Sequence, residues 1–435
     1  MAGALLGAIL ASTAHAASLA LKPDITVAAD GSGDFKTVQE AVASIPRTNR
    51  DRIVVLVKDG VYHEKVRVDA SFVTLHGQSR AGTRIEFAQP AGGARDNIGQ
   101  AVLNINGDDF VIENLTIQNT QPTIGIHAFA IYGRGDRTVI QDCDVLSQGN
   151  DTLSLWRTSD GMFSEDAAAH ASPNGRYYQA RLKVCGSVDF ICPRGWCYMT
   201  ESEMTEVNPH TDAAMWHDGS RDPNMKFVMT KCRFEGPPNF RLARHHHDAL
   251  FVFADCTFSN NLRDFAPYRV IYPLNGGTPT AADIKNNKDH DATNRWGERA
   301  YYFNCHRDGG DYAWFEDNLS AAPGAPTPAQ ITAKWTFDGK WDPENQNGPV
   351  VEKVAASDAG IAVTFSENVT VKGKPQIDTR AGGHATYASG SGTATLVFTM
   401  PSGAPAEAAK LDLHGGAIVA TEAAAALRTA DLTLR

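Results

Sequence analysis

Two carboxylates lie at comparable places in two apolar, strand-like segments of this 435-residue chain. Asp151 lies within QGNDTLSLW, and Asp189 lies within CGSVDFICP. Asp is depleted in strands and is rarely buried unless it is paired. Two close carboxylates do not both ionise at low cost, so one can hold a proton and act as an acid. The pattern indicates an acid–base pair or, as the alternative, two aspartates that cap turns of the chain.

The segments around these aspartates belong to a repeating pattern of short apolar strands. Pairs of strands joined by one or two polar residues recur, with Asn114, Asp142, Lys231 and Asp255 at similar places. Such self-similarity, with strands in place of helices, predicts the stacked coils of a solenoid. Hairpin signals typical of a β-sandwich are scarce here. We therefore predict an all-β fold, a right-handed parallel β-helix from about Ile25 to Pro343.

The seven cysteines give two further expectations. Four of them each follow a polar residue inside an apolar run, which predicts a column of small buried thiols in the repeating fold; they are Cys143, Cys232, Cys256 and Cys305. Cys192 and Cys197 flank PRGW and are either free thiols in a loop or a local disulfide. The spacing lacks the second pair that a zinc site needs.

The chain is predicted to contain one large and one small domain. Residues 1–16 have an apolar core and an Ala-His-Ala cleavage pattern, which is typical of an export signal. Residues 17–345 form the β-helix domain, from which loops 157–175 and 273–294 are predicted to project. Residues 346–435 contain short alternating strands with Gly and Ser turns, which predicts an accessory β-sandwich-like domain.

Composition argues against two other classes of protein. The net charge is -10, whereas nucleic-acid-binding proteins normally present a basic face. Beyond the N-terminus there is no run of about 18 or more uncharged apolar residues, so no membrane span is predicted. We expect an exported monomer, secreted or periplasmic.

Several stretches, taken in order, resemble the pectin methylesterase (pectinesterase) family of carbohydrate esterases, which have a parallel β-helix. DGSGDFKTVQEAVASIP resembles the opening signature of that family, and KDGVYHEKV, VTLHGQSRAGTRI and FVIENLTIQNT follow in the expected order. NDTLSLW is similar to the family's Gln-Asp-Thr-Leu segment, and GSVDFI to its Gly-Thr-Val-Asp-Phe-Ile segment. LARHHHDALFVFADC stands where the family has Leu-Gly-Arg-Pro-Trp before a strand.

The resemblance implies how the two aspartates hydrolyse an ester. It implies Asp189 as the nucleophile, with Arg244 holding it ionised through a bidentate contact. It implies Asp151 as the acid that protonates the departing methanol and then activates water. The family's two oxyanion glutamines align with His127 and Asn150, which both still offer an N–H donor. Parallel strands stack about 4.8 Å apart, so aspartates on neighbouring coils can face one another.

The sugar-binding surface departs from the family's pattern. His245-His246 replaces the Pro-Trp that follows the family's arginine, and His246 becomes a candidate groove residue. Trp196 and Tyr178 are candidates for stacking on sugar rings, against the alternative that such aromatics only pack. A metal site at the three consecutive histidines is disfavoured because adjacent strand residues point to opposite faces. No metal or organic cofactor is expected.

We predict an enzyme that hydrolyses the methyl esters of polygalacturonate, the pectin backbone. The first alternative is a hydrolase of a different ester or thioester on the same scaffold, which the altered groove favours. The others are a non-catalytic carbohydrate-binding β-helix and a glycan-cleaving β-helix enzyme. Retention of Asp151, Asp189 and Arg244 speaks against the non-catalytic alternative.

Overall fold

The structure is a computed structural model that divides at about residue 348 into two compact units. It describes residues 23–49, 52–90, 96–157, 175–210, 212–218, 222–274, 276–297, 299–344, 351–357, 360–380, 382–400, 408–414 and 416–420. The predicted export signal and most of the predicted loop 157–175 lie outside the described residues. None of the described helices is long and apolar enough to cross a membrane.

The larger unit is a parallel β-helix with three long faces, here called sheets A, B and C. Sheet A contains β1 (Ile25–Val27), β2 (Ile53–Val57), β5 (Val73–Gly77), β8 (Val111–Glu113), β11 (Thr138–Gln141), β14 (Gly175–Ala180), β19 (Phe227–Thr230), β22 (Phe251–Ala254) and β25 (Ala300–Phe303). Sheet B contains β3 (Gly60–His63), β6 (Thr83–Phe87), β9 (Thr116–Asn119), β12 (Asp144–Leu146), β15 (Lys183–Gly186), β17 (Glu203–Glu206), β20 (Arg233–Glu235), β23 (Thr257–Phe258) and β26 (His306–Arg307).

Sheet C completes each coil. It contains β4 (Val66–Val68), β7 (Leu103–Ile105), β10 (Ile131–Gly133), β13 (Leu153–Trp156), β18 (Ala213–Trp216), β21 (Arg241–His245) and β24 (Tyr268–Arg269). β16 (Ile191–Thr200) belongs to two sheets, since its first half pairs in sheet C and its second half in sheet A. The chain therefore runs from C to A to B in each coil, and the predicted parallel β-helix is confirmed.

The coils turn from sheet A to sheet B through single residues with left-handed backbone. Asn114, Asp142, Lys231 and Asp255 occupy these turns with φ of 59°, 55°, 52° and 54°. The backbone N–H of Asp142 donates to Ala180 O on the next coil at 3.0 Å, and the other turns repeat this bond. The four cysteines that follow such turns are buried in the core, as predicted. The polar repeat thus marks the turns that set the period of the solenoid.

Two of the described helices lie before the last coil of the β-helix. α1 (Val38–Ala43) begins at Thr37, whose side chain accepts a hydrogen bond from the Glu40 N–H, and it buries Val38, Ala41 and Val42. α2 (Ala281–Thr293) lies where a loop was predicted. Only His290 of α2 is buried, so the helix lacks the apolar periodicity that would have revealed it.

The segment after the last coil is short and mostly irregular. It contains three 3₁₀ turns, Ala313–Phe315, Leu319–Ala321 and Pro328–Gln330, followed by α3 (Ala333–Thr336). Phe315 is buried in the interior core, whereas Leu319 and Ala333 belong to a separate cluster on the outer side of sheet A.

The described residues of the smaller unit form a sheet of seven antiparallel strands with a core of its own. Its strands are β27 (Val351–Ser357), β28 (Gly360–Lys372), β29 (Gln376–Thr379), β30 (His384–Ser389), β31 (Thr393–Thr399), β32 (Ala408–Asp412) and β33 (Ala417–Ala420). The first half of β28 pairs with β27 and the second half with β33. Ile361, Val363, Leu396 and Leu411 are fully buried in it. The predicted β-sandwich-like class of this domain stays a prediction.

Candidate active site

The turns from sheet B to sheet C carry the two aspartates on neighbouring coils. Asp151 precedes β13 and Asp189 precedes β16, and the strands pair with Leu153 opposite Ile191. Both residues have left-handed backbone, with φ of 57° and 50°. The Asp151 N–H donates to Val188 O at 3.0 Å, which joins the two turns directly. Asp151 and Asp189 therefore occupy equivalent positions one coil apart, as the sequence predicted.

Two glycines allow these turns to approach each other. A Cβ on Gly186 would lie 2.2 Å from Thr152 Oγ1 and 2.3 Å from Phe190 Cβ, closer than real atoms approach. A Cβ on Gly149 would lie 2.4 Å from the Ala128 Cβ. The absence of a side chain at both positions is what permits the close stacking of backbone around the two aspartates.

Arg244 reaches Asp189 from β21, two coils further along. Its Nε lies 2.9 Å from Asp189 Oδ1, and its Nη2 lies 2.7 Å from Asp189 Oδ2. Asp189 is buried, the Arg244 side chain is 11% exposed, and the guanidinium also lies over the ring of Trp216 at 5.5 Å. Such a two-point contact fixes the orientation of the carboxylate as well as its charge.

The charge on Asp189 is set by opposing effects. Burial raises the pKa of Asp189 to about 7, and the nearby Asp151 adds to that rise, while the Arg244 guanidinium opposes it. Burial acts to lower the pKa of Arg244, but the Asp189 carboxylate outweighs it and raises that pKa. Asp189 is therefore held close to the point of ionisation at neutral pH, and Arg244 is a permanent cation beside it.

His127 lies against Asp151, a contact that the sequence did not predict. Its Nε2 is 3.0 Å from Asp151 Oδ2, and the Asp151 side chain is 7% exposed while that of His127 is 39% exposed. The hydrogen bond to Asp151 raises the pKa of His127, and burial opposes that rise. The sequence predicted a cationic partner for Asp189 only, whereas the structure places a group that can carry positive charge beside each aspartate.

The Asn150 side chain forms hydrogen bonds with two other segments near Asp151 and Asp189. Its Oδ1 accepts hydrogen bonds from Ser187 Oγ at 2.6 Å and from the Val188 N–H at 3.2 Å. Its Nδ2 donates to Gly125 O at 3.0 Å. One of the two amide N–H groups is therefore used inside the protein, and the predicted role of Asn150 as an oxyanion donor rests on the other.

The structure does not bring Trp196 and Tyr178 to this site. Both belong to the cluster on the outer side of sheet A, where Tyr178 stacks on Tyr198 and the Lys226 ammonium lies 5.0 Å from the Trp196 ring. The prediction failed for Trp196 because PRGW forms the continuous strand β16, which carries Trp196 from sheet C to sheet A, and Tyr178 lies in β14 of sheet A. Their contribution here is packing.

His246 follows Arg244 by two residues and is buried. Its ring meets Trp216 edge to face with centroids 4.0 Å apart, and its Nε2 lies 2.8 Å from the hydroxyl of Tyr272. It also stacks on His290 of α2, with centroids 4.3 Å apart. The described residues contain no group of three or more His, Cys, Asp or Glu side chains arranged to hold a metal ion.

The sequence did not predict the aromatic cluster that packs beside the site. Phe129, Tyr132, Trp156 and Trp216 are buried together on the outer side of sheet C, and the Arg194 guanidinium lies 4.6 Å from the Trp156 ring. The signal that connects Trp216 with the site is strand register, because Trp216 pairs directly with Arg244.

Cys192 and Cys197 are both free and buried in β16. Strand geometry rather than a loop holds them, so the disulfide alternative is wrong. Cys192 packs against the Trp156 indole, whose Nε1 lies 3.2 Å from its Sγ.

Comparison with known proteins identifies the family. The family model for pectinesterase matches residues 24–252. A pectinesterase/pectinesterase inhibitor of Arabidopsis thaliana is 29% identical over 219 residues, which are 49% of this chain and 34% of that protein. The match thus spans about a third of the length of that relative.

Solved structures share the fold. A pectin methylesterase from Erwinia chrysanthemi superposes with a TM-score of 0.55 at 20% identity, over 74% of this chain and 99% of that one. A crystal structure of a pectin methylesterase in complex with a hexasaccharide gives a TM-score of 0.56 at 20% identity, again over 74% of this chain and 99% of that one.

The fold and the site define a parallel β-helix protein with two carboxylates on adjacent coils and an arginine, two coils further along, that contacts one of them. Since the family model matches more than half of the chain, this protein belongs to the pectinesterase family.

Proposed function

We propose that this protein is an esterase that removes methyl groups from the methyl esters of polygalacturonate. The observation that carries the proposal is the two-point contact between Arg244 and Asp189, one coil away from Asp151. In the described part of the chain, the partners found for the two carboxylates are side chains of Arg244 and His127. The alternative that both aspartates only cap turns does not account for such partners.

Asp189 is proposed to attack the carbonyl carbon of the ester and form an acyl-enzyme. Arg244 holds the attacking carboxylate ionised and aimed. Asp151 gives its proton to the departing methanol and then takes a proton from the water that hydrolyses the acyl-enzyme. The amide of Asn150 is proposed to donate to the developing oxyanion. No step requires a metal or an organic cofactor.

Membership of the pectinesterase family supports pectin as the substrate. Export of the protein to a compartment that contains pectin remains a prediction from residues 1–16. One observation favours the alternative of a different ester or thioester. By the resemblance, His127 and Asn150 stand where the family has glutamines and His246 where it has tryptophan, so the site and its groove are altered at three positions.

Measurement of methanol release separates these candidates. The wild-type protein should release methanol from highly methylated pectin and should act much more slowly on p-nitrophenyl acetate or a small acyl thioester. Faster turnover of the small esters would favour the altered-substrate alternative. Shortening of the polymer would reveal a glycan-cleaving enzyme, and binding to pectin without any turnover would reveal a carbohydrate-binding protein.

A further inference from the structure

The contact between His127 and Asp151 is held in place from both sides of the turn. Asn150 forms a bridge to His127, the Asn150 N–H donates to Ile126 O at 2.8 Å, and the Ala128 N–H donates to Asn150 O at 3.1 Å. The backbone on each side of the imidazole is therefore fixed to the residue that precedes Asp151. These backbone bonds hold the imidazole where the His127 Nε2 lies 3.0 Å from the Asp151 Oδ2.

The imidazole occupies an intermediate position between water and the buried carboxylate. Asp151 is almost fully enclosed, whereas more than a third of the His127 side chain is exposed. An imidazole can gain and lose a proton near neutral pH, while the glutamine to which His127 aligns cannot. The substitution therefore adds a titratable group to the acid–base residue, where the family has an amide.

We propose that His127 and Asp151 share one exchangeable proton and act as a single acid–base unit. The proposal rests on the esterase function described above. Asp151 is the member that meets the reacting atoms, and His127 is a positioning residue that stabilises the ionised form of Asp151 and exchanges its proton with solvent. This role differs from the oxyanion donor that the sequence alignment predicted for His127.

The chemical steps balance with one proton on this unit. In the first step a bond forms between Asp189 and the acyl carbon, the bond to the methoxy oxygen breaks, and the shared proton leaves with methanol. In the second step water attacks the acyl carbon, its proton returns to the His127–Asp151 unit, and the bond to Asp189 breaks. The products are methanol and the free carboxylic acid, and both aspartates return to their starting states.

The surrounding charges favour retention of that proton. Among the described residues, Asp151 and Asp189 act on the pKa of His127 in favour of the imidazolium, and Arg244 opposes it. A carboxyl group ordinarily loses its proton near pH 3.9 and an imidazolium near pH 6.5, roughly. A unit that contains His127 therefore stays protonated to higher pH than a carboxyl group with an amide neighbour.

The pH dependence of kcat/KM for methanol release tests the proposal. Because His127→Gln leaves Asp151 as the sole carrier of the proton, the alkaline limb should move to lower pH by about one unit or more. His63→Gln is the matched control, since His63 lies on sheet B with an exposed side chain that pairs with Glu86. Its profile should coincide with that of the wild type. If the His127→Gln profile also coincides with the wild type, the shared proton is refuted and His127 reverts to an oxyanion donor.

An NMR titration without substrate distinguishes failure of this proposal from failure of the proposed function. The imidazole resonance of His127 is assigned by its loss in His127→Gln. Asp151→Asn should lower the pKa of His127 by about one unit or more, because it removes the carboxylate. An unchanged His127 pKa in Asp151→Asn refutes the proposal. If the pKa falls but the wild type releases no methanol, the shared proton is supported and the proposed substrate is wrong.

Discussion

At the scale of the residue, the site combines a buried nucleophile candidate with a fixed cation. The pKa of Asp189 is raised to about 7, and a carboxylate attacks only when it is ionised. The ionised fraction falls as the pH falls through about 7, so activity should decline on the acid side with a midpoint in that region. The Arg244 cation lowers the pKa of Asp189, so this midpoint lies at a lower pH than burial alone would give.

Removal of the cation should therefore move the acid limb. We predict that Arg244→Gln raises the pKa of Asp189 and shifts the acid limb of kcat/KM to higher pH by about one unit or more. At pH 6 the rate should fall about tenfold or more. Arg233→Gln is the control, since Arg233 forms exposed ion pairs with Glu235 and Asp308 on sheet B. An unshifted acid limb in Arg244→Gln would mean that Arg244 does not govern the ionisation of Asp189.

The residues of the site could be predicted only in part. The pairing of Asp189 with Arg244 followed from the family resemblance because both residue types are retained. The contact of His127 with Asp151 did not follow from the resemblance, because His127 stands where the family has a glutamine, whose amide carries no charge. A histidine ring at that position carries a nitrogen that can titrate, and in the fold this nitrogen meets Asp151. Such a contact depends on three-dimensional placement rather than on residue type.

At the scale of the element, close stacking of turns decides where the aspartates lie. We predict that Gly186→Ala destabilises the protein by about 1–3 kcal/mol, because the new methyl group would overlap Thr152 and Phe190. Activity should fall as well, since Asp189 lies three residues further on. Thermal or denaturant unfolding and methanol release measure the two effects.

A second glycine provides the control for this prediction. Gly297→Ala adds the same methyl group where no atom lies within 4 Å, and its φ of 73° leaves only the cost of the left-handed backbone. Gly186→Ala should therefore reduce both stability and activity more than Gly297→Ala does. Equal effects of the two substitutions would refute the idea that crowding between coils positions Asp189.

The elements were predictable where the period was regular. The polar residues at Asn114 and Asp142 marked the turns because left-handed backbone suits short polar side chains. β16 was misjudged because a Pro and a Gly within PRGW suggested a loop, whereas the strand continues through them between two sheets. α2 lacks an apolar face, and its only local signal was the capping pair of Thr280 and Asp283.

At the scale of the whole molecule, the two units have separate cores. The residues of the candidate site all lie before residue 348, and the smaller unit buries its own apolar side chains. We predict that a chain shortened to end at Gly348 folds and retains most of its activity on soluble methylated pectin. Circular dichroism and methanol release check this outcome. A folded but inactive shortened chain would show that the smaller unit contributes to catalysis.

The central claim is that Asp189 is the nucleophile of a pectin methyl ester hydrolase. The most direct test compares methanol release from highly methylated pectin by the wild type and by freshly purified Asp189→Asn. An amide cannot form the acyl-enzyme, so turnover should fall about 1,000-fold or more while the unfolding temperature stays close to that of the wild type. A correctly folded Asp189→Asn protein with activity within about tenfold of the wild type would contradict the account.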